Sequence, residues 1–114
     1  MKLLYIAGPF TIAPGPEKNT EYAAAFALAA WRRGWATICP HKNSIGFEEE
    51  RDIPAAVWYD GYLAILRKCD AVLLIPGWQK SPGAVAEKAE AERCGIRVFE
   101  YDAVGIPSPE EAIR

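Results

Sequence analysis

The sequence predicts a three-layer α/β fold: a parallel sheet of four to five strands with helices on both faces. Three observations predict it. Short, nearly continuous apolar runs recur at "KLLYIAG", "WATIC", "DAVLLI" and "IRVFEY", the pattern of strands buried on both faces. Between them lie longer segments with apolar residues at three-to-four spacing. Glycine and proline mark the junctions. The resulting order, β-α-β-α-β-α-β with a terminal helical piece, implies right-handed crossovers and a flavodoxin/Rossmann-like sheet.

The elements follow in chain order. "KLLYIAG" is a strand closed by Gly8 and Pro9. After the turn-rich "PFTIAPGP", residues Glu17 to Arg33 read as an alanine-rich helix, with Tyr22, Phe26, Ala29, Ala30 and Arg33 on one face and Gly34 as the stop. "WATIC" is the second strand, ending at Pro40. The polar "HKNSIGFEEERD" is too long for a plain connection and reads as a functional loop or lid. Pro54 begins a second helix through about Lys68, and "DAVLLI" is the clearest buried strand. Ser81 as N-cap and Pro82 as first helical residue open a third helix, which runs toward Cys94 and closes at Gly95. "IRVFEY" is the fourth strand, and "SPEEAIR" repeats the Ser-Pro helix entry.

Composition bounds the function. The 114 residues, 51% hydrophobic and 25% charged, fit one domain over 1–114 with a core that needs no disulfide or metal staple. A net charge of -2 gives no general attraction for nucleic acid or an anionic membrane, so neither is an expected partner. Cys39, Cys69 and Cys94 are odd in number, far apart and never in a CxxC pair. They read as small buried apolar residues of a reducing compartment. The start "MKLLYIAGPF" is too short an apolar run for a signal peptide, which makes the cytoplasm the expected location.

In parallel sheets of this kind, ligands bind outside the carboxyl ends of the strands. That rule gathers Gly8, His41, Gly77 and the cap at Ser81 around one crevice. Ser81 either caps its own helix or, with the unpaired N-H groups there, holds a phosphate or sugar oxygen. Gly83 lets a ligand or another backbone approach closely. Phe10 is the first candidate to stack on a planar base, since its loop faces the crevice. His41 is the only histidine and is a candidate to bond a sugar hydroxyl or phosphate. Without CxxC or HExxH spacing, no metal site is expected.

Glu87 lies one helical turn beyond Gly83 on the same face, whereas Glu90 and Glu92 come later among lysine, arginine and alanine. Periodicity leaves two readings for it: a solvated helix glutamate, or a carboxylate aimed into the crevice. Asp60 in "VWYDGYLAIL" is likewise either a polar position on an amphipathic helix or a second carboxylate beside the cleft. Two carboxylates around a pocket suit glycosidic chemistry.

At these residues the chain resembles the nucleoside 2-deoxyribosyltransferase superfamily, which includes the deoxynucleoside-5'-monophosphate N-glycosidases and related small proteins. The resemblance rests on "YIAGPF" at the first strand end, an aspartate helix ahead of "CDAVLLIPGW", and "SPGAVAE" followed by "CGIRVF", and it covers nearly the whole chain. It implies cleavage of the N-glycosidic bond of a (2'-deoxy)nucleoside or its 5'-monophosphate through a covalent glycosyl-enzyme, passed on to water or another base. It implies Glu87 as nucleophile, Tyr5 as the phenol that orients it, and Asp60 as a substrate contact that assists the leaving base. Ser81 stands where base-transferring members often carry an aspartate and monophosphate hydrolases a serine, which tilts the implied substrate toward a 5'-phosphate. No cofactor is implied. A homodimer or larger homo-oligomer is, with the "EYDAVGIPSPEEAIR" tail as a candidate to complete a neighbour's pocket. The reading from another class is a non-catalytic nucleotide-binding sensor or scaffold using the same crevice. A third notes that "PGWQKSPGAVAE" is loosely similar to the PGGxGTxxE of phosphoribohydrolases, with the second glycine and the threonine missing.

Overall fold

A computed structural model of the chain describes residues 1–113, the side chain of Glu48 excepted. Strands β1 (Leu3–Ala7), β2 (Ala36–Ile38), β3 (Ala71–Leu74) and β4 (Arg97–Glu100) form one sheet in the order β2-β1-β3-β4. Every pairing is parallel, with Tyr5 level with Ile38 on one side and Val72 on the other. The helices are α1 (Pro16–Arg32), α2 (Pro40–Asn43), α3 (Ala55–Leu66), α4 (Pro82–Arg93), α5 (Tyr101–Val104) and α6 (Pro109–Ala112). The two short helices α2 and α5 fall on segments that show no helical period in the sequence.

Burial on both faces explains why the two central strands, β1 and β3, read as apolar runs. Leu4, Ile6, Ala71, Leu73 and Ile75 turn to one face and pack with Ala23, Ala27 and Ala30 of α1. The alternate residues Tyr5, Ala7, Val72 and Leu74 turn to the other and pack with Leu66 of α3 and with Ala84 and Ala91 of α4. This period-two division is what the pleat imposes. It also decides which layer Tyr5 meets, the layer of α3 and α4.

Helix α1 is rotated from the expected orientation. Its buried stripe is Asn19, Thr20, Ala23, Ala27 and Ala30, while Tyr22 is exposed and Phe26 half-buried. Small side chains let the helix approach the sheet closely, so the alanines take the inner face. The aromatics form an outer ladder instead: Phe26 meets Tyr22 and Tyr101 edge-on, at ring-centroid distances of 5.0 and 4.8 Å. The cysteine expectation also needs one correction. Cys39 and Cys69 are buried, but Cys94, just past the end of α4, is exposed.

The carboxyl-terminal segment docks on its own chain. Trp35, fully buried, donates from Nε1 to the Pro107 carbonyl at 2.8 Å. Arg33 donates to the Ile106 carbonyl at 3.1 Å, and Ile106, Ala112 and Ile113 join the α1-side core. Ser108 opens α6 with a reciprocal capping box to Glu111. Residues 106–113 are therefore held near the start of β2, at the opposite end of the sheet from the strand-end crevice. Within the chain, the apolar residues of this tail complete the core beside Trp35. Arg114, its last residue, lies outside the described residues.

No helix among the described residues is long and apolar enough to cross a membrane.

Candidate active site

A cavity of about 520 Å³ opens at the carboxyl ends of the strands, within the roughly 300–1,000 Å³ typical of small-molecule sites. Each wall follows from local sequence. Gly8, Phe10, Thr11 and Ile12 form one side, from the loop that leaves β1. Pro40, His41 and Ser44 follow β2. Ala55, Trp58, Tyr59, Tyr62 and Leu63 come from α3, a stripe at i, i+3, i+4, i+7 and i+8 that a 3.6-residue period places on one helix face. The fourth wall is the start of α4, Ser81 to Ala84, with Glu87 one turn further in.

Glu87 reaches the cavity because of its helix phase. Ala84, Glu87 and Ala91 share the inner side of α4, and both alanines are buried against the sheet. The neighbouring glutamates are paired with cations instead. Glu90 accepts from Nε and Nη2 of Arg93, each at 2.8 Å, and from Nε of Arg67 at 2.5 Å, and Glu92 pairs with Lys88 at 3.0 Å. Only Glu87 of the three lacks a cation, and it accepts a hydrogen bond from the Tyr5 phenol instead. Burial pushes its carboxyl up to about 7, while the Tyr5 hydrogen bond pulls the other way. Tyr5 is fully buried, and burial, followed by the Glu87 charge, raises its phenol far above the ordinary range. It therefore remains a donor at any physiological pH.

The other anticipated residues divide. Gly8, Phe10, His41, Ser81 and Gly83 all line the cavity. A methyl group at Gly8 would overlap Cγ1 and Cδ1 of the buried Ile75, so close packing requires this glycine. At Gly83 the nearest atom to such a methyl is Ser81 Oγ, 3.9 Å away, so the space beside it is open. Ser81 is the N-cap: Oγ accepts from the Ala84 N-H at 3.2 Å. His41 is buried, with Nε2 donating to the Pro9 carbonyl at 2.7 Å and Nδ1 3.9 Å from Cys39 Sγ. Both ring nitrogens are thus engaged within the chain, and burial lowers the imidazole's tendency to take up a second proton.

Asp60 does not join the site. It is exposed and absent from the cavity walls. Residues 55, 58, 59, 62 and 63 fix the inner stripe of α3, and position 60 lies outside that stripe, about 60° beyond its nearest member, Leu63. Tyr62 stands there instead, donating to the Pro40 carbonyl at 3.1 Å and meeting Ser44 Oγ at 2.5 Å. The α3 stripe is the part that sequence reasoning missed as a site, although its three-to-four spacing was present to be counted. Trp78 packs beside α4, with Lys88 Nζ 5.8 Å from its ring centroid.

A family model described as a domain of unknown function, DUF4406, matches residues 2–100. The chain belongs to the DUF4406 family. No curated protein matches it. Among solved structures, the 2-desoxiribosyltransferase from Leishmania mexicana is similar at 19% identity and a TM-score of 0.63. The match covers 98% of this chain and 77% of that one. At that identity the DUF4406 chain and the transferase share a fold, the parallel sheet with helices on both sides.

Proposed function

We propose that this DUF4406 protein cleaves the N-glycosidic bond of a nucleoside, with Glu87 as the nucleophile. The observation that carries the reading is the Tyr5–Glu87 pair set in an aromatic-walled cavity. A carboxylate withdrawn from water, without a cation and aimed by one phenol, is poor as structural salt and well suited to attack. The fold shared with a protein named a 2-desoxiribosyltransferase supports a (2'-deoxy)nucleoside or its 5'-monophosphate as substrate.

In the proposed reaction a Glu87 oxygen bonds C1' as the C1'–N bond breaks, and the electron pair leaves with the base, which takes a proton from water. Water or a second base then attacks C1', the sugar ester breaks, and the carboxylate returns. Positive charge developing on the sugar in both steps is stabilised by the adjacent carboxylate. Tyr5 holds that carboxylate in place and lowers its affinity for protons. Phe10, Trp58 and Tyr59 offer flat apolar surface for the base.

Between the two substrate forms, the walls favour the uncharged nucleoside. No lysine or arginine is among the described residues that line the cavity. At the start of α4, Pro82 has no N-H and the N-H of Ala84 is taken by Ser81, which leaves the Gly83 N-H and the Ser81 hydroxyl as donors to a ligand. A phosphate brought near Glu87 would also raise its proton affinity further. The missing cation weighs against the tilt toward a 5'-phosphate that the resemblance at Ser81 implied.

The test is incubation with paired deoxynucleosides and deoxynucleoside monophosphates, with and without an acceptor base, followed by chromatography of the bases. Free or exchanged base with wild type and none with Glu87→Gln supports the reading. Mass spectrometry of the quenched protein would show the glycosyl adduct on the peptide holding Glu87. Binding of nucleoside with no base released by either protein would support the non-catalytic reading instead.

A further inference from the structure

The wall of the cavity opposite α4 is a loop with almost no backbone support of its own. From Gly8 to Gly15 its one internal backbone hydrogen bond runs from the Gly15 N-H to the Ile12 carbonyl, at 2.8 Å. Such a segment would ordinarily sample many conformations. Here two buried side chains hold its carbonyls. Asn19, on the first turn of α1, donates from Nδ2 to both Phe10 and Ile12, each at 2.8 Å. His41, on α2, donates from Nε2 to Pro9 at 2.7 Å. Both are nearly inaccessible, at 5% and 6% exposure. From the other side Gly77 approaches so closely that a methyl there would stand 3.3 Å from Pro9 Cγ. The His41 ring also takes Phe10 edge-on, with centroids 5.6 Å apart and planes at 79°.

We propose that Asn19 and His41 are positioning residues: they fix the Gly8–Ile12 wall, and so set how far a ligand seated against Phe10 stands from Glu87. The ligand part of this rests on the glycosidic reading above; the fixing of the loop does not. A buried polar side chain costs desolvation that an apolar residue would avoid, and both side chains here donate to the same short loop. The imidazole is engaged through Nε2, so a glutamine, whose amide nitrogen sits at a similar reach, reproduces its donor. Leucine fills the volume without one. Asn19→Asp keeps shape while replacing the donor with an oxygen facing two carbonyls.

The experiment compares wild type, His41→Leu, His41→Gln and Asn19→Asp by backbone 15N relaxation without ligand, and by calorimetric binding of 2'-deoxyadenosine in a Glu87→Gln background. The expected result is that order parameters of Phe10, Thr11 and Ile12 fall from about 0.85 to below about 0.6 in His41→Leu and Asn19→Asp. Those of β1 and β3 stay unchanged, and His41→Gln keeps the loop rigid. Binding should weaken about tenfold in the two loosened variants and stay within about threefold in His41→Gln. In the active protein the loosened variants should lose kcat as well as raise KM, since reactive distance is disturbed. A loop equally rigid in all variants overturns the proposal, as does a His41→Gln that behaves like His41→Leu. So does a loosened loop that binds and turns over nucleoside like wild type. If His41→Leu does not fold, Asn19→Asp and His41→Gln decide the matter. Absence of turnover by wild type refutes the glycosidic reading alone, and relaxation and binding still judge the loop.

Discussion

The phenol of Tyr5 donates a hydrogen bond to the carboxylate of Glu87, across 82 residues of sequence. The bond joins a central strand of the parallel sheet to the inner side of a helix, in a layer from which water is largely excluded. That location gives the carboxylate its raised proton affinity and the phenol its permanence as a donor. Four expectations follow from the site's geometry.

Glu87 should destabilise the protein when ionised. Its folded value of about 7 lies above the ordinary 4.5, so the native state binds the extra proton more tightly than the unfolded chain does. The penalty is absent below about pH 4.5, grows as pH rises toward 7, and is complete above that, at roughly 3 kcal/mol. Glu87→Gln should therefore melt higher than wild type at pH 8 and show a much smaller difference at pH 4. Thermal melts of both proteins across that range check the sign. A variant less stable than wild type at pH 8 would contradict it.

Turnover should show the same ionisation with the opposite sense. Only the carboxylate attacks, so kcat/KM should rise with pH and level off above about 7. The Tyr5 bond lowers the carboxyl value, so Tyr5→Phe should shift the rising limb to higher pH. It should also lower the plateau, by about 10- to 100-fold for one lost charge-assisted hydrogen bond. Rate profiles of the two proteins settle it.

Two glycines of the same cavity should respond differently to alanine. At Gly8 the added methyl meets buried Ile75, and Gly8→Ala should cost about 1–3 kcal/mol by overpacking. At Gly83 the space is open and the residue is helical, so Gly83→Ala should be neutral or stabilising by up to about 1 kcal/mol. Its methyl narrows the cavity, so nucleoside affinity should fall while the melting temperature does not. Denaturant titrations and calorimetry on the pair separate the effects.

Asp60→Asn should leave kcat/KM within about threefold of wild type, because an exposed carboxylate off the inner stripe of α3 touches nothing in the cavity. A drop beyond about a hundredfold would return Asp60 to the catalytic machinery.

The sequence by itself determined the architecture. Four apolar runs, each too short for a helix and too continuous for a one-sided strand, require a parallel sheet covered on both faces, and the Ser81-Pro82 entry located the start of α4. It also brought Gly8, Phe10, His41, Ser81 and Gly83 to one crevice, since strand ends in such a sheet share an edge. The tertiary structure decided what each side chain does there. Helix phase separates Glu87 from Glu90 and Asp60 from Tyr59, and small errors in phase move a residue from cavity to solvent. Partners distant in sequence were equally hidden: nothing near Asn19 or His41 in the chain announces that their polar atoms are spent on the loop after β1. Local periodicity fixes which elements form, whereas the direction of a polar group depends on neighbours that only packing supplies.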